Sequence, residues 1–139
     1  MHKNQVPYFL AFLLFGCYEK TDSPEQLKIV SDITAQAPKP IDFKNIANDK
    51  WSRVCFFGPY TLKSNDILGF DWDVTKKTAV GGDDRINVIV FATEKQVTEF
   101  VVVPRSKADF WKLSRKCFSR NNARFIYDGS VWSYLHKNA

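Results

Sequence analysis

Long hydrophobic runs are missing from this sequence. The first apolar run, residues 6–16, has eleven positions and includes Pro7, whereas a helix needs about 20 apolar residues to cross a bilayer. Internal repeats and low-complexity tracts are missing as well. The sequence therefore predicts neither a membrane-spanning helix in this run nor a repeat array.

Histidine and cysteine are scarce. The histidines are His2 and His136, and neither Cys55 nor Cys117 has CxxC spacing or a nearby histidine. A Ser–His or Cys–His pair would have to use His136, in a chain end that is poorly ordered unless tied down. Redox catalysis and zinc binding lack their ligands. We therefore expect no enzyme, no cofactor and no bound metal.

Charge of one sign is only mildly in excess. Lys and Arg outnumber Asp and Glu by 20 to 15, a net charge of +5. This bias suits anionic lipid, polysaccharide or an acidic protein surface, but it falls short of a nucleic-acid signature. Aromatic residues are plentiful, with four Trp, five Tyr and twelve Phe. Because each aromatic side chain removes roughly 150–250 Å² from water, one small domain can build a sizeable core.

The apolar run ends in Leu14-Phe15-Gly16-Cys17, which resembles the lipobox of bacterial lipoproteins. In that class a peptidase cuts before the cysteine, and the thiol receives a diacylglyceryl group. The resemblance implies a signal peptide at residues 1–16, removed together with His2, and lipidation of Cys17. A simple signal peptide, an uncleaved anchor and a buried core segment are the alternatives. In Gram-negative lipoproteins an aspartate after the cysteine favours the inner membrane. Tyr18 at that position implies the outer membrane, with the protein facing the periplasm.

The remaining two cysteines form an obvious pair once Cys17 carries lipid. Disulfides persist in oxidising compartments, so we predict a Cys55–Cys117 disulfide. Two buried free thiols are the alternative.

Residues 18–44 are polar, contain three prolines and have weak periodicity. We predict that residues 17–45 form the lipidated cysteine and a flexible tether, in which "SPEQLKIV" could wind briefly into a helix after Ser23. Residues 46–139 are then expected to form a single domain.

Five segments have the composition of strands. "RVCFFGPYTL" is apolar and is closed by Gly58-Pro59, and residues 66–75 alternate as in a half-buried strand. Residues 86–93 and 96–104 predict an antiparallel hairpin that stops at Pro104. "ARFIYDGSVWSYL" predicts a second hairpin around Asp128-Gly129.

Residues 106–119 change to a helical period, with Ser106 and Asp109 as a capping pair and Cys117 on the apolar side. The predicted fold class is α+β: a small, mostly antiparallel sheet with one principal helix at 106–119 packed on it and tied by the disulfide.

The polar side of this helix would carry a basic patch, our candidate binding surface. A solvated helix face is the alternative. The patch comprises Arg105, Lys107, Lys112, Arg115, Lys116, Arg120 and Arg124, with Trp111 at its border.

"FDWDVT" resembles the DxDxT motif of haloacid-dehalogenase-type phosphatases, which implies Asp71 as nucleophile, Asp73 as proton carrier and a magnesium ion. The parallel α/β scaffold of that family does not follow in the sequence, so we favour exposed carboxylates on a strand. Asp71, Asp73, Asp83 and Asp84 also lack the spacing of an EF-hand calcium loop.

Together these observations predict a lipid-anchored cell-envelope protein that acts as a non-catalytic binding module for an envelope or incoming protein with an acidic surface. Immunity proteins and periplasmic inhibitors are specific versions of this hypothesis. The alternatives are a structural or assembly lipoprotein that contacts lipopolysaccharide or outer-membrane machinery, and a small hydrolase that uses acidic residues. The partners expected are the membrane, through lipid, and a protein, with no nucleic acid.

Overall fold

The computed structural model describes residues 22–136 of the chain. This part contains two antiparallel sheets, one helix of 11 residues and two shorter helices. The α+β class is confirmed, and the predicted signal peptide and Cys17 lie outside the described residues. The elements are α1 (Pro24–Thr34), β1 (Ile41–Asp42), β2 (Arg53–Phe57), α2 (Ser64–Leu68), α3 (Val74–Lys77), β3 (Ile86–Ala92), β4 (Val97–Pro104), β5 (Lys116–Ser119), β6 (Arg124–Tyr127) and β7 (Trp132–Tyr134). Short 3-10 turns occupy Phe43–Asn45, Trp111–Leu113 and Arg120–Asn122.

The larger sheet has the strand order β4-β3-β2-β5, and its two central strands, β3 and β2, are buried on both faces. On one face Phe56 and Phe91 belong to a core shared with α1 and the smaller sheet, β1-β6-β7. On the other face Phe57 and Val90 belong to a core shared with α2 and α3. Strands covered on both sides are nearly continuous apolar runs, which explains the composition of β2 after Arg53 and of β3, where the buried Asn87 is the exception. The predicted first strand and the β3–β4 hairpin are confirmed.

The flexible tether predicted over residues 17–45 is wrong for residues 23–45, which belong to the folded unit. Gln26 N donates to Ser23 Oγ (3.2 Å) and Ser23 N donates to Gln26 Oε1 (2.9 Å), a complete capping box at the start of α1. Ile29 and Ile33, one turn apart, are buried, and so is Phe43. The helix was hidden in the sequence because only one narrow stripe of α1 is apolar.

The half-buried strand predicted over residues 66–75 is also wrong: this segment contains the end of α2, a loop and the start of α3. Gly69 ends α2 in the left-handed region (φ 80°), and Asp73 caps α3. The Ser64 hydroxyl accepts a hydrogen bond from Val74 N (2.9 Å), and Asn65 Oδ1 accepts one from Trp72 N (3.1 Å). Side chains therefore satisfy backbone groups that a strand would have to pair with a neighbour.

The principal helix is α1, not the predicted helix at 106–119. That segment contains a turn, the 3-10 turn Trp111–Leu113 and then β5, which pairs with β2. Asp109 Oδ1 accepts a hydrogen bond from Trp111 N, and both Asp109 carboxylate oxygens bind Arg105, so this side chain does not cap a helix at Ser106. Arg115 adopts φ 65°, which interrupts any helix. Pairing of β5 with a buried strand outweighs the local helical period.

The second predicted hairpin is confirmed as β6 and β7, with Tyr127 opposite Trp132. Its loop has four residues rather than two. Asp128 Oδ1 accepts hydrogen bonds from the backbone N–H groups of Ser130 and Val131, both at 3.0 Å. These two hydrogen bonds stabilise the four-residue turn.

None of the helices within residues 22–136 has the length and apolar content that crossing a bilayer would require.

Candidate functional site

The predicted disulfide is present between Cys55 on β2 and Cys117 on β5. The two residues are register partners on neighbouring antiparallel strands. Cys117 was expected on a helix, and the structure places it on an edge strand instead. Cys55 is fully buried, so the bridge is a structural tie between the last strand of the larger sheet and its centre.

The predicted basic patch is not one surface. With no helix at 106–119, its residues are distributed over the turn after β4, the Trp111–Leu113 turn and the loop after it, β5, the Arg120–Asn122 turn and the start of β6. These elements present their side chains in different surroundings, so each cation has to be considered separately.

Three of the patch cations are engaged in the fold. Arg105 forms an ion pair with Asp109 (Nη2–Oδ2 3.0 Å) and donates from Nη1 to Asp84 O (2.8 Å). Lys112 Nζ lies 3.1 Å from Asp128 Oδ2. Arg120 donates to the carbonyl oxygens of Lys44 (2.7 Å), Asn48 (3.2 Å) and Trp51 (3.0 Å), and its guanidinium lies 4.4 Å from the centroid of the Trp51 ring.

The other patch members are exposed: Lys107, Trp111, Arg115, Lys116 and Arg124. Of these, Arg124 has its Nε 4.0 Å from Asp42 Oδ2. Trp111, at 51 % exposure, is one of the largest apolar side chains that residues 22–136 present to solvent. The surviving part of the prediction is therefore a tryptophan with neighbouring cations on the loop that precedes β5.

A second exposed aromatic lies on a neighbouring loop, just after the Gly58-Pro59 pair that closes the first predicted strand. Gly58 N donates to Ser114 Oγ (3.0 Å), which joins the loop after β2 to the loop before β5. A Cβ at Gly58 would lie 2.8 Å from that hydroxyl oxygen, so this approach requires glycine. Tyr60, at 62 % exposure, stands two residues further on. We refer to residues 58–60 and 111–115 as the paired loops.

Both paired loops hold a non-glycine residue in the left-handed region. Tyr60 has φ 64° and donates from its N–H to Val80 O (2.8 Å), and Arg115 has φ 65° and donates from its N–H to Phe56 O (2.7 Å). Such conformations cost of order 1–3 kcal/mol each and persist only where the surrounding structure enforces them. The loops that carry Tyr60, Trp111 and Arg115 are thus anchored by backbone hydrogen bonds.

A groove of about 630 Å³ runs along β4 between α1 and α3. Its floor is apolar and includes Val30, Phe100, Val102 and Pro104, with the exposed Leu27 at one side. The charged residues of the lining are three lysines and one carboxylate: Lys76, Lys77, Lys107 and Asp22. We call this feature the basic groove. The sequence does not reveal this groove, because its lysines come from separate elements and the composition of residues 17–45 predicts a tether where α1 lies.

Asp71 and Asp73 have structural roles in the segment between α2 and α3. Asp73 Oδ1 accepts hydrogen bonds from Thr75 Oγ1 (2.7 Å) and Thr75 N (2.9 Å). These bonds hold the pKa of Asp73 below its usual range, and the bond from the hydroxyl has the larger effect. Asp71 Oδ1 accepts a hydrogen bond from Asn65 Nδ2 (3.1 Å). The "FDWDVT" motif is therefore a helix-capping turn, and its carboxylates do not share a strand.

Two further aspartates are stabilised in their ionised form. The Arg85 side chain, which donates to both Asp83 oxygens at 2.9 Å, lowers the pKa of Asp83 to about 2. The backbone N–H groups of Val131 and Ser130, followed by Lys112, hold the pKa of Asp128 well below its usual range. Across residues 22–136 no group of three or more His, Cys, Asp or Glu side chains could hold a metal ion.

Comparison with known protein families, curated proteins and solved structures gave no match for this chain.

Proposed function

We propose that the chain is a lipid-anchored cell-envelope protein whose folded part binds another protein without catalysing a reaction, in the manner of an immunity protein or an enzyme inhibitor. The lipobox-like segment ending at Cys17 supports anchoring, and Tyr18 after it supports the outer membrane, facing the periplasm. The Cys55–Cys117 disulfide supports export, because disulfides are rare in the cytosol and persist in oxidising compartments.

The observation that carries the binding role is the pair of exposed aromatics on the paired loops. Tyr60 and Trp111 are more than half exposed, yet the backbone that carries them is fixed by the Gly58–Ser114 contact. A rigid aromatic loses little conformational entropy when a partner covers it. Tryptophan and tyrosine are also the side chains most enriched among residues that dominate interface energies.

The charge around the paired loops favours an acidic partner. Arg115 and Lys116 follow Trp111 closely and are exposed. Complementary charges at the rim of an interface raise the association rate and suppress wrong partners. An acidic surface with a pocket for an indole ring is therefore the partner chemistry that fits.

The test is in-cell photocrosslinking from single positions of the full chain. A benzophenone amino acid at Tyr60 and at Trp111 should give one common protein adduct. The same residue at Ile126, an exposed apolar position on β6, should not give it. Adducts that are equal at all three positions would contradict the binding role of the paired loops.

The purified partner then provides the quantitative test. We expect a one-to-one complex by titration calorimetry, and binding weaker by about 30-fold or more with Trp111→Ala, the range of an interface hot spot. Ile126→Ala serves as the matched control and should bind normally. If the adduct is instead lipopolysaccharide or an outer-membrane protein, and deletion alters envelope permeability with no rival strain present, the assembly role replaces the immunity or inhibitor role.

A further inference from the structure

The folded unit begins close to the proposed lipid anchor. Capping of α1 starts at Ser23, and Asp22 lines the basic groove. Cys17 is five residues before Asp22, and a chain spans at most about 3.6 Å per residue, so these two residues are no more than about 18 Å apart. A folded unit of this size is about 35 Å across. A lipid on Cys17 would therefore hold the α1 end of the unit at the membrane surface.

The surface at this end has the chemistry of a membrane-contacting face. Lys76, Lys77 and Lys107 line the basic groove against a single carboxylate, Asp22. Leu27 at its side is 58 % exposed. A neighbouring hollow, which shares Thr78 and Ala79 with the groove, is lined by Leu62, and this side chain is 66 % exposed. Lysines attract anionic headgroups, and exposed leucines can enter the boundary between headgroups and acyl chains.

We propose that the basic groove docks the folded unit onto an anionic phospholipid surface, with Lys76, Lys77 and Lys107 against the headgroups and Leu27 and Leu62 at the acyl boundary. This inference rests on the proposed lipidation of Cys17. The short connection to Cys17 sets the orientation of the folded unit on the membrane, and attraction between the three lysines and the anionic headgroups maintains it.

The turn between β3 and β4 provides a reference position outside the basic groove. Glu94 is in the turn between β3 and β4, and β4 runs from Val97 to Pro104 beside the groove. A strand rises about 3.3 Å per residue, so Glu94 lies up to about 20 Å from Phe100, the β4 residue of the groove that is nearest to it in sequence. It offers a reference position on the same molecule.

The test uses the native lipidated chain reconstituted in vesicles of phosphatidylcholine and phosphatidylglycerol. With Cys17 acylated and Cys55 paired with Cys117, a cysteine introduced as Leu27→Cys takes a fluorophore at one place, and Glu94→Cys gives the reference. A quencher attached to lipid headgroups should quench the label at position 27 strongly and the label at position 94 weakly. Pure phosphatidylcholine should reduce the difference.

Charge reversal separates docking from simple proximity. The triple variant Lys76→Glu, Lys77→Glu, Lys107→Glu should shift the docked–undocked equilibrium by about a hundredfold, because each lysine near an anionic surface contributes about fivefold. The matched control reverses three exposed lysines elsewhere, Lys39, Lys50 and Lys95. It has the same net charge and should retain the quenching at position 27.

The outcomes distinguish this inference from the proposed function. Intact mass of the same preparation reports the fatty acids, and a chain without them on Cys17 would overturn both proposals. A lipidated chain in which positions 27 and 94 are quenched equally, or in which both triple variants behave alike, would overturn docking alone.

Discussion

Cys55 and Cys117 lie directly opposite each other on neighbouring antiparallel strands, with their Cα atoms 4.1 Å apart. The bridge joins residues 62 positions apart in the sequence. It ties β5, an edge strand, to β2, which is covered on both faces. The loop that carries Trp111 and Arg115 leads directly into β5, so the bridge also stabilises the base of one of the paired loops.

Removal of the disulfide should destabilise the fold. We expect Cys55→Ala together with Cys117→Ala to lower the free energy of unfolding by about 2–4 kcal/mol, because the unfolded chain regains the entropy of an open loop. Urea denaturation followed by tryptophan fluorescence measures it. Dithiothreitol should shift the wild-type midpoint in the same direction and leave the double variant unchanged. Equal midpoints for both chains without reductant would contradict the prediction.

The helix α1 should contribute to global stability. Ile33 is fully buried against the main core, and Ile33→Ala should cost about 2–5 kcal/mol through lost burial and a residual cavity. Leu27→Ala, on the exposed side of the same helix, should change stability by no more than about 0.5 kcal/mol. Thermal unfolding compares the two. An Ile33→Ala chain as stable as wild type would mean that residues 23–45 behave as a tether after all.

Arg120 should be a structural residue and not part of a binding surface. Its guanidinium binds three carbonyl oxygens between residues 44 and 51 and covers the Trp51 ring. Lysine cannot reproduce this planar fork, so Arg120→Lys should cost about 1–3 kcal/mol. Arg124→Lys is the control, because Arg124 Nε lies 4.0 Å from its nearest carboxylate oxygen, and we expect little change. Chemical denaturation measures the free energy of unfolding of both variants, and equal values for the two would contradict the prediction.

The Asp83–Arg85 pair should make stability depend on pH at the acid end. Because the folded chain lowers the pKa of Asp83 from 3.8 to about 2, its stabilising effect is complete above pH 4 and is lost as the pH falls towards 2. Asp83→Asn should therefore melt below wild type at neutral pH, and the gap should narrow at pH 2. Melting temperatures across this range measure it. A gap that is constant with pH would contradict the assignment.

Much of the larger sheet could be predicted because its central strands are buried on both sides. The apolar runs of β2 and β3 and the stop at Pro104 depend on local sequence, and the structure agrees with them. The Cys55–Cys117 disulfide follows from the number of cysteines, and it is present as well. The sequence of residues 106–119 predicts a helix that does not form, because Phe110 and Leu113 are buried at a spacing that a turn satisfies as well as a helix does. What decides that segment is pairing with β2, which is distant in the sequence.

The candidate surfaces were harder to predict than the fold. The basic groove unites Leu27, Lys76 and Lys107 from three separate parts of the chain, and no local pattern connects them. Tyr60 lay in an aromatic segment that reads as core, and only the Gly58–Ser114 contact shows which part of that segment remains outside. Trp111 could be identified from the sequence because a large apolar residue stands there among cations.

Intact-mass analysis of the protein purified from its native membrane tests the central claim, anchoring through Cys17, most directly. We expect a chain that begins at Cys17 and carries a diacylglyceryl group and an additional acyl chain. A mass that corresponds to an unprocessed Met1 start, or to a processed chain without fatty acids, would contradict it.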